Sequence, residues 1–305
     1  MPRRFHPSLL ALAYAASLCA AHSYVPNLNV DRLMYDGFRP TSPGSNPLAI
    51  GWSTTAYDQG YVNQTGYTTD EIICHRGSQN AQAHGLVNAG DRLHVQWNGW
   101  PMSHKGPLID YLASCGENTP CEEVNKEDLQ FFKISELGLI DGANDTAGPG
   151  GYWATDLLIA NNNSWIVQIP PQIKPGYYVL RTEIIALHNA SVSIGGQNYP
   201  QCLNIQIAGS GTVLPSGTPG MKLYDPKDPS MHLDIYEGLT TYKIPGPPVM
   251  SGVKAGTIPP LSHPLPTGPA PTYIGTTTTP LPAGATVTAA SPTITSTPRY
   301  RRANM

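Results

Sequence analysis

Histidines are the side chains in this sequence with the most chemistry to offer, and His22 has an unusual position. It follows Cys19-Ala20-Ala21, small residues of the kind a signal peptidase reads. Cutting one residue earlier would place Leu18 at the upstream position, so cleavage after Ala21 fits better and makes His22 the first residue of the mature chain. A terminal histidine offers its α-amino group and a ring nitrogen to one metal ion, closing a chelate. The free amine titrates at roughly 7.7–8, so a metal displaces its proton near neutral pH. A second imidazole would complete a plane of three nitrogens, an arrangement that suits divalent copper. Alone, a histidine at this place is weak evidence, since any residue can fall there by chance.

Three further segments carry side chains of the right kind. Trp100-Pro101-Met102-Ser103-His104-Lys105-Gly106-Pro107 sets His104 in a Gly/Pro-bounded turn. Arg181-Thr182-Glu183-Ile184-Ile185-Ala186-Leu187-His188 ends an apolar run that reads as the longest strand. Gly196-Gln197-Asn198-Tyr199-Pro200-Gln201-Cys202 stands just before the last core strand. His75, His84, His94 and His232 fit no such pattern and are read as structural or exposed. Paired carboxylates for glycosidase chemistry are the competing proposal. Asp110, Glu183 and Asp234 are available, but nothing in their spacing brings two together, and Glu183 reads as a buried partner of a neighbouring strand or of the site's outer sphere.

These residues must be held by elements that the sequence spells as strands. His94–Trp97, Trp165–Ile169 and Leu203–Ile207 alternate in polarity. Pro175-Gly176 marks a turn ahead of the long run Tyr177–Leu187. Long loops fill Thr41–Gly66 and Asp141–Tyr152, and helical period is weak, around Glu122–Leu137. The expected fold is all-β, an immunoglobulin/fibronectin-like antiparallel β-sandwich with long loops, over residues 22–244. Residues 245–305 are rich in Pro, Thr, Gly, Ala and Ser and read as a disordered tail without a carbohydrate-binding module.

Composition narrows the partners. Residues 1–21 have a positive start and an apolar stretch too short to span a bilayer, so a secreted, extracellular protein is expected. Once Cys19 leaves with that segment, Cys74, Cys115, Cys121 and Cys202 remain. Four cysteines allow three connectivities. The short loop Cys115–Cys121 pairs most naturally with itself, leaving Cys74 with Cys202. A zinc site is the rival reading, but paired C-x-x-C knuckles are missing. Asn63, Asn144, Asn162 and Asn189 begin sequons, each a candidate glycan site. A net charge of -3, with 13% charged residues, argues against nucleic acid or an anionic membrane as partner. A tyrosine-rich, weakly charged surface suits a neutral polymer, and Tyr24, Tyr57, Tyr61, Tyr67 and Tyr224 are candidates to stack on sugar rings.

Taken together, the terminal histidine and the three segments resemble auxiliary activity family 9 of the fungal lytic polysaccharide monooxygenases, once classed as glycoside hydrolases. The resemblance covers His22 to about Tyr236. It implies a monomeric oxidoreductase with one copper ion held by the amine and ring of His22, the ring of His104 and, axially, Tyr199. It implies outer-sphere roles for His188 and Gln197, and the disulfides Cys74–Cys202 and Cys115–Cys121. It further implies an external reductant or electron-donor protein, dioxygen or hydrogen peroxide, and cleavage of cellulose or a related β-1,4-glucan at C1, C4 or both. Thr182 stands where many relatives carry histidine, and the Thr218–Tyr224 loop is longer than usual, which unsettles the register of Tyr224. Two other readings stay open: a non-catalytic extracellular copper-binding protein with the same brace, and a structural matrix sandwich.

Overall fold

In the computed structural model, residues 23–30, 33–44, 46–192 and 194–253 are described. Two sheets face each other, and the alternating segments of the sequence supply most of their strands. The strands are β1 (Asn27–Val30), β2 (Leu33–Asp36), β3 (Gly85–Asn88), β4 (Arg92–Gln96), β5 (Leu108–Gly116) and β6 (Gln130–Leu137). They continue with β7 (Leu139–Asp141), β8 (Tyr152–Trp153), β9 (Ser164–Gln168), β10 (Gly176–Ala186), β11 (Gln197–Ala208) and β12 (Thr218–Pro219). One sheet has the order β2-β1-β4-β9, the other β12-β6-β5-β10-β11-β3, and β7 and β8 form a small ribbon. Pairing is antiparallel except between β11 and β3. The β-sandwich expected from the sequence is present, with one parallel edge.

Why β10 does not alternate between buried and exposed residues is clear from its surroundings. All of its residues are buried, because both faces of the six-stranded sheet are covered. Tyr178, Leu180 and Ile184 point between the sheets, where they meet Leu93, Val95, Trp165 and Val167. Tyr177, Val179 and Ile185 point outward into a second core with Ile72, Ile73, Tyr67, Tyr224 and Met231. The Cys74–Cys202 disulfide, with a sequence separation of 128, ties that outer layer to β11, and Cys115–Cys121 closes a short loop.

Four expectations need correction. The stretch Glu122–Leu137 holds two short 3-10 turns and then β6, because Phe132 and Ile134 are drawn into the space between the sheets. The longest helix, α1 (Ala154–Ala160), has too few turns to show a period; Asp156 starts it by accepting the Trp153 N–H at 2.7 Å. His188 lies beyond the end of β10, and Gln197 opens β11, which is the longer strand by one residue. The packed domain also continues past residue 244. Lys133 Nζ donates to Pro245 O at 2.8 Å, Met250 N donates to Lys133 O at 2.8 Å, and the Met250 side chain is buried. The expected leader, residues 1–21, and the expected tail from 254 onward lie outside the described residues.

Candidate metal centre

One end of the β10–β11 hairpin gathers the side chains singled out above. Ala186 pairs with Gln197 and Ile184 with Tyr199, so the connection between the two strands begins at Leu187 and His188 is its second residue. Alternation puts Gln197 and Tyr199 on the same face of β11, and the Tyr199 hydroxyl donates to Gln197 Oε1 at 3.2 Å. The segment leading into β5 extends the pairing with β10: Ile185 N donates to Pro107 O at 3.1 Å and Leu187 N to Lys105 O at 2.8 Å. That extension brings His104 against His188, with ring centroids 3.7 Å apart at an interplanar angle of 30°.

Each of these side chains is fixed by its neighbours. Trp100 Nε1 donates to His104 O at 2.8 Å, and its ring stands edge-on to Tyr199 with centroids 5.0 Å apart. Ser103 Oγ lies 3.0 Å from His104 Nδ1, and the His104 side chain is buried. Burial holds the pKa of His188 below the usual imidazole value, and its Nδ1 has no hydrogen-bond partner among the described residues. Burial likewise raises the Tyr199 hydroxyl above the usual phenol range. Lys105 Nζ donates to Gly151 O at 2.7 Å and pairs with Asp156 at 3.1 Å, tying the His104 turn to the start of α1.

His22 lies outside the described residues, but its neighbours do not. Ser23 Oγ and Tyr24 N donate to Asn98 Oδ1 at 2.8 and 2.9 Å, so the chain resumes beside the turn that carries His104. Among the described residues no group of three or more His, Cys, Asp or Glu could hold a metal ion. The donor chemistry fits copper: His104 offers imidazole, Tyr199 a phenol oxygen, and carboxylates are absent from the cluster just described.

The carboxylates do not meet as a hydrolytic pair. Asp110 is buried between the sheets and accepts from Trp165 Nε1 at 3.1 Å. Glu183 sits on the opposite face of the same sheet, where Arg181 donates to both of its oxygens at 2.7 and 2.8 Å. Asn198 Nδ2 donates to it at 2.8 Å and the Tyr224 hydroxyl donates to it as well. Its role is therefore structural. His75, His84 and His232 are tied into the fold. His75 Nε2 bonds Gly60 O at 2.9 Å, and burial lowers its pKa to about 4. His84 accepts from Cys121 N at 3.0 Å, and His232 Nε2 bonds Pro226 O at 2.8 Å.

The tyrosines are redistributed. Tyr24, Tyr67 and Tyr224 are buried: Tyr24 bonds Thr41, Tyr67 bonds Gly196 O, and Tyr224 serves Glu183. None of the three can offer a ring face to a polymer. Tyr57, 56% exposed, keeps that option, and Tyr61 stands 6.0 Å from the Tyr199 ring. Sequence reasoning missed Tyr236, which is 45% exposed and flanks Gly150 together with the stem of Lys105, the neighbour of His104. Met102, in the His104 turn, is 75% exposed. No sequence pattern marks such residues; exposure beside the site does.

The chain is similar to known proteins along most of its length. The profile of Auxiliary Activity family 9 (formerly GH61) matches residues 22–243. AA9 family lytic polysaccharide monooxygenase G of Emericella nidulans is 49% identical over 245 residues, which are 78% of this chain and 88% of that protein. AA9 family lytic polysaccharide monooxygenase A of Thermoascus aurantiacus is 48% identical over 234 residues, 76% of this chain and 100% of that protein. The extended catalytic domain of H. jecorina LPMO9A superposes with a TM-score of 0.74 at 42% identity, covering 85% of this chain and 100% of that one. A profile match from residue 22 to 243, and near-half identity over most of the chain, mean that this protein belongs to Auxiliary Activity family 9, the lytic polysaccharide monooxygenases, and is an oxidoreductase.

Proposed function

We propose that this chain is a secreted, copper-dependent enzyme that oxidatively cleaves cellulose or a related β-1,4-glucan at C1, C4 or both. The observation that carries the reading is the convergence of His104, His188, Gln197 and Tyr199 at the hairpin end where Ser23 and Tyr24 are anchored. In this reading the amine and ring of His22, the ring of His104 and the Tyr199 oxygen would hold one copper ion. Copper bound there would supply a one-electron couple that activates dioxygen or hydrogen peroxide after an external donor delivers an electron.

The chain's own residues do the rest. The Ser103 contact at Nδ1 fixes the rotation of the His104 ring, and Trp100 holds its backbone. Gln197 Oε1 accepts a hydrogen bond from the Tyr199 hydroxyl and keeps that hydroxyl in place. His188 lies with its ring against that of His104, and we assign it to bond a small oxygen ligand there. Tyr57, Tyr61 and Tyr236 are the aromatics we assign to the polymer surface, replacing Tyr24, Tyr67 and Tyr224. The disulfides of the fold suit an oxidising, extracellular setting. Asn63, Asn144, Asn162 and Asn189 remain glycan candidates, and the proposed enzyme acts as a monomer.

The test is mass spectrometry of products from amorphous cellulose, using secreted, copper-loaded protein with ascorbate. Aldonic-acid or 4-keto oligosaccharides that vanish with a chelator are expected, and they identify the carbon attacked. Tightly bound copper with no oxidised product from any β-glucan would overturn the enzyme reading in favour of a non-catalytic copper protein.

A further inference from the structure

The sequons of the chain begin at Asn63, Asn144, Asn162 and Asn189, and the fold places them all at one end of the sandwich. Asn189 directly follows His188, whose ring lies against His104. Asn63 follows Val62, which exchanges backbone bonds of 2.8 and 2.9 Å with Asn198, the residue between Gln197 and Tyr199. Asn162 lies in the turn before β9, where Asn163 O accepts from Trp97 N at 2.9 Å, and the Trp97 ring meets Trp100 beside the His104 turn. Asn144 is in the loop between β7 and β8, which reaches the same turn through the bond from Lys105 Nζ to Gly151 O. The loops at the opposite end, 89–91, 117–129, 169–175 and 209–217, contain no sequon.

Each of these asparagines can carry a sugar in the folded chain. Asn144, Asn162 and Asn189 are exposed, and Asn63 is half-buried. Asn63 uses Oδ1 to accept from Thr65 N at 3.1 Å and from Thr65 Oγ1 at 2.7 Å, bonds that leave Nδ2 for the sugar. Asn144 Nδ2 donates to Asp141 Oδ1 at 2.9 Å with one of its two hydrogens, so the other can be replaced. The asparagines surround the cluster from different sides: the β10–β11 connection, the outer layer over β11, the four-stranded sheet and the β7–β8 ribbon.

We propose that Asn63, Asn144, Asn162 and Asn189 carry glycans that form a rim around the candidate site and select single polysaccharide chains over the packed face of a crystal. The inference rests on the polymer reading given above. A flat solid must meet the whole end of the sandwich at once. Bulky glycans at that edge are then either trapped against the solid, at a cost in conformational freedom, or hold it away. A single loosened chain passes between them.

The experiment uses the full chain secreted from a fungal host. Glycopeptide mass spectrometry reads occupancy at each asparagine, and retention on crystalline and on amorphous cellulose is measured before and after endoglycosidase H. Trimming should raise retention on crystalline cellulose about threefold or more, the equivalent of sparing a flexible group from immobilisation, and should leave retention on amorphous cellulose unchanged. Thr65→Ala, Thr146→Ala, Ser164→Ala and Ser191→Ala together abolish the sequons while keeping every asparagine, and this variant should behave like the trimmed protein. Ser164 Oγ is buried without a partner among the described residues, so its loss costs little. If the combined variant fails to fold, Ser191→Ala alone, which bares Asn189 beside His188, should give the same shift in part. No more than one occupied asparagine in the secreted protein, or equal crystalline retention with and without glycans, overturns the inference. Absence of retention on both celluloses in every form overturns the polymer reading itself, and the inference with it.

Discussion

The imidazoles of His104 and His188 lie nearly face to face, with centroids 3.7 Å apart, although the chain between them forms β5, β6, β9 and β10 of the sandwich. Neither ring could take this position without β10, whose pairing continues past Ala186 onto Lys105. Under the proposed function the two rings have different duties. His104→Ala should lose most copper affinity with little change in Tm, as read by calorimetry and thermal melts. His188→Ala should bind copper nearly as well as wild type yet lose about 10–100-fold in oxidised product formed per minute. A His188→Ala protein that keeps its rate would remove His188 from the chemistry.

Asp110 makes the domain sensitive to pH. Burial between the sheets raises its pKa to about 6, against hydrogen bonding from Thr182, Trp165 and Ser135. Because the folded pKa exceeds the unfolded value, the stabilising contribution is full below an ordinary carboxylate pKa. It is lost as pH rises toward about 6, and stays lost above that. The difference is on the order of 3 kcal/mol. Asp110→Asn should flatten the dependence of urea midpoints on pH between 4 and 7 and should be the more stable protein at pH 8. Equal slopes in the two proteins would show that Asp110 does not titrate there.

Arg181 and Glu183 are both fully buried, and the guanidinium also donates to Ile72 O and Ile73 O at 2.8 Å. Glu183→Leu leaves that cation without its counter-charge inside the fold. A loss of about 3–5 kcal/mol is expected from denaturant unfolding. Replacing Arg181 and Glu183 together by apolar residues should cost less than Glu183→Leu alone, because no lone charge remains.

Tyr224 and Tyr236 separate stability from polymer contact. Tyr224→Phe removes a buried hydroxyl that serves Glu183 and should lower Tm, with polymer retention unchanged. Tyr236→Ala removes an exposed ring and should weaken retention on cellulose while leaving Tm in place. The reverse pattern in pull-down and melting experiments would return the sugar-facing role to Tyr224.

What could be read from the chain alone follows from which forces act locally. Alternation at Leu203–Ile207 and Trp165–Val167 marks strands because one face meets the space between the sheets. The cluster His104, His188, Gln197 and Tyr199 was legible through its motifs, and the structure brings its members together. Burial was not legible. A tyrosine looks the same whether it bonds a hidden carboxylate, as Tyr224 does, or faces water, as Tyr236 does, since the difference lies in long-range packing. The start of the tail was missed for the same reason: Pro245 to Met250 have a loop's composition, and only the partners at Lys133 fix them.

The Cys74–Cys202 disulfide has one more consequence, for a protein cut by proteases. It turns residues 74–202 into a closed covalent ring that contains His104, His188, Gln197 and Tyr199. A single nick anywhere from 75 to 201 therefore leaves one molecule, with those four side chains still joined to it. The residues ahead of the ring have no such insurance. A nick between Asp36 and Cys74 would leave the amino-terminal segment held by the pairing of β1 with β4, by the bond from Leu86 N to the Tyr35 hydroxyl, by its contacts with Asn98 and Gln201, and by packing.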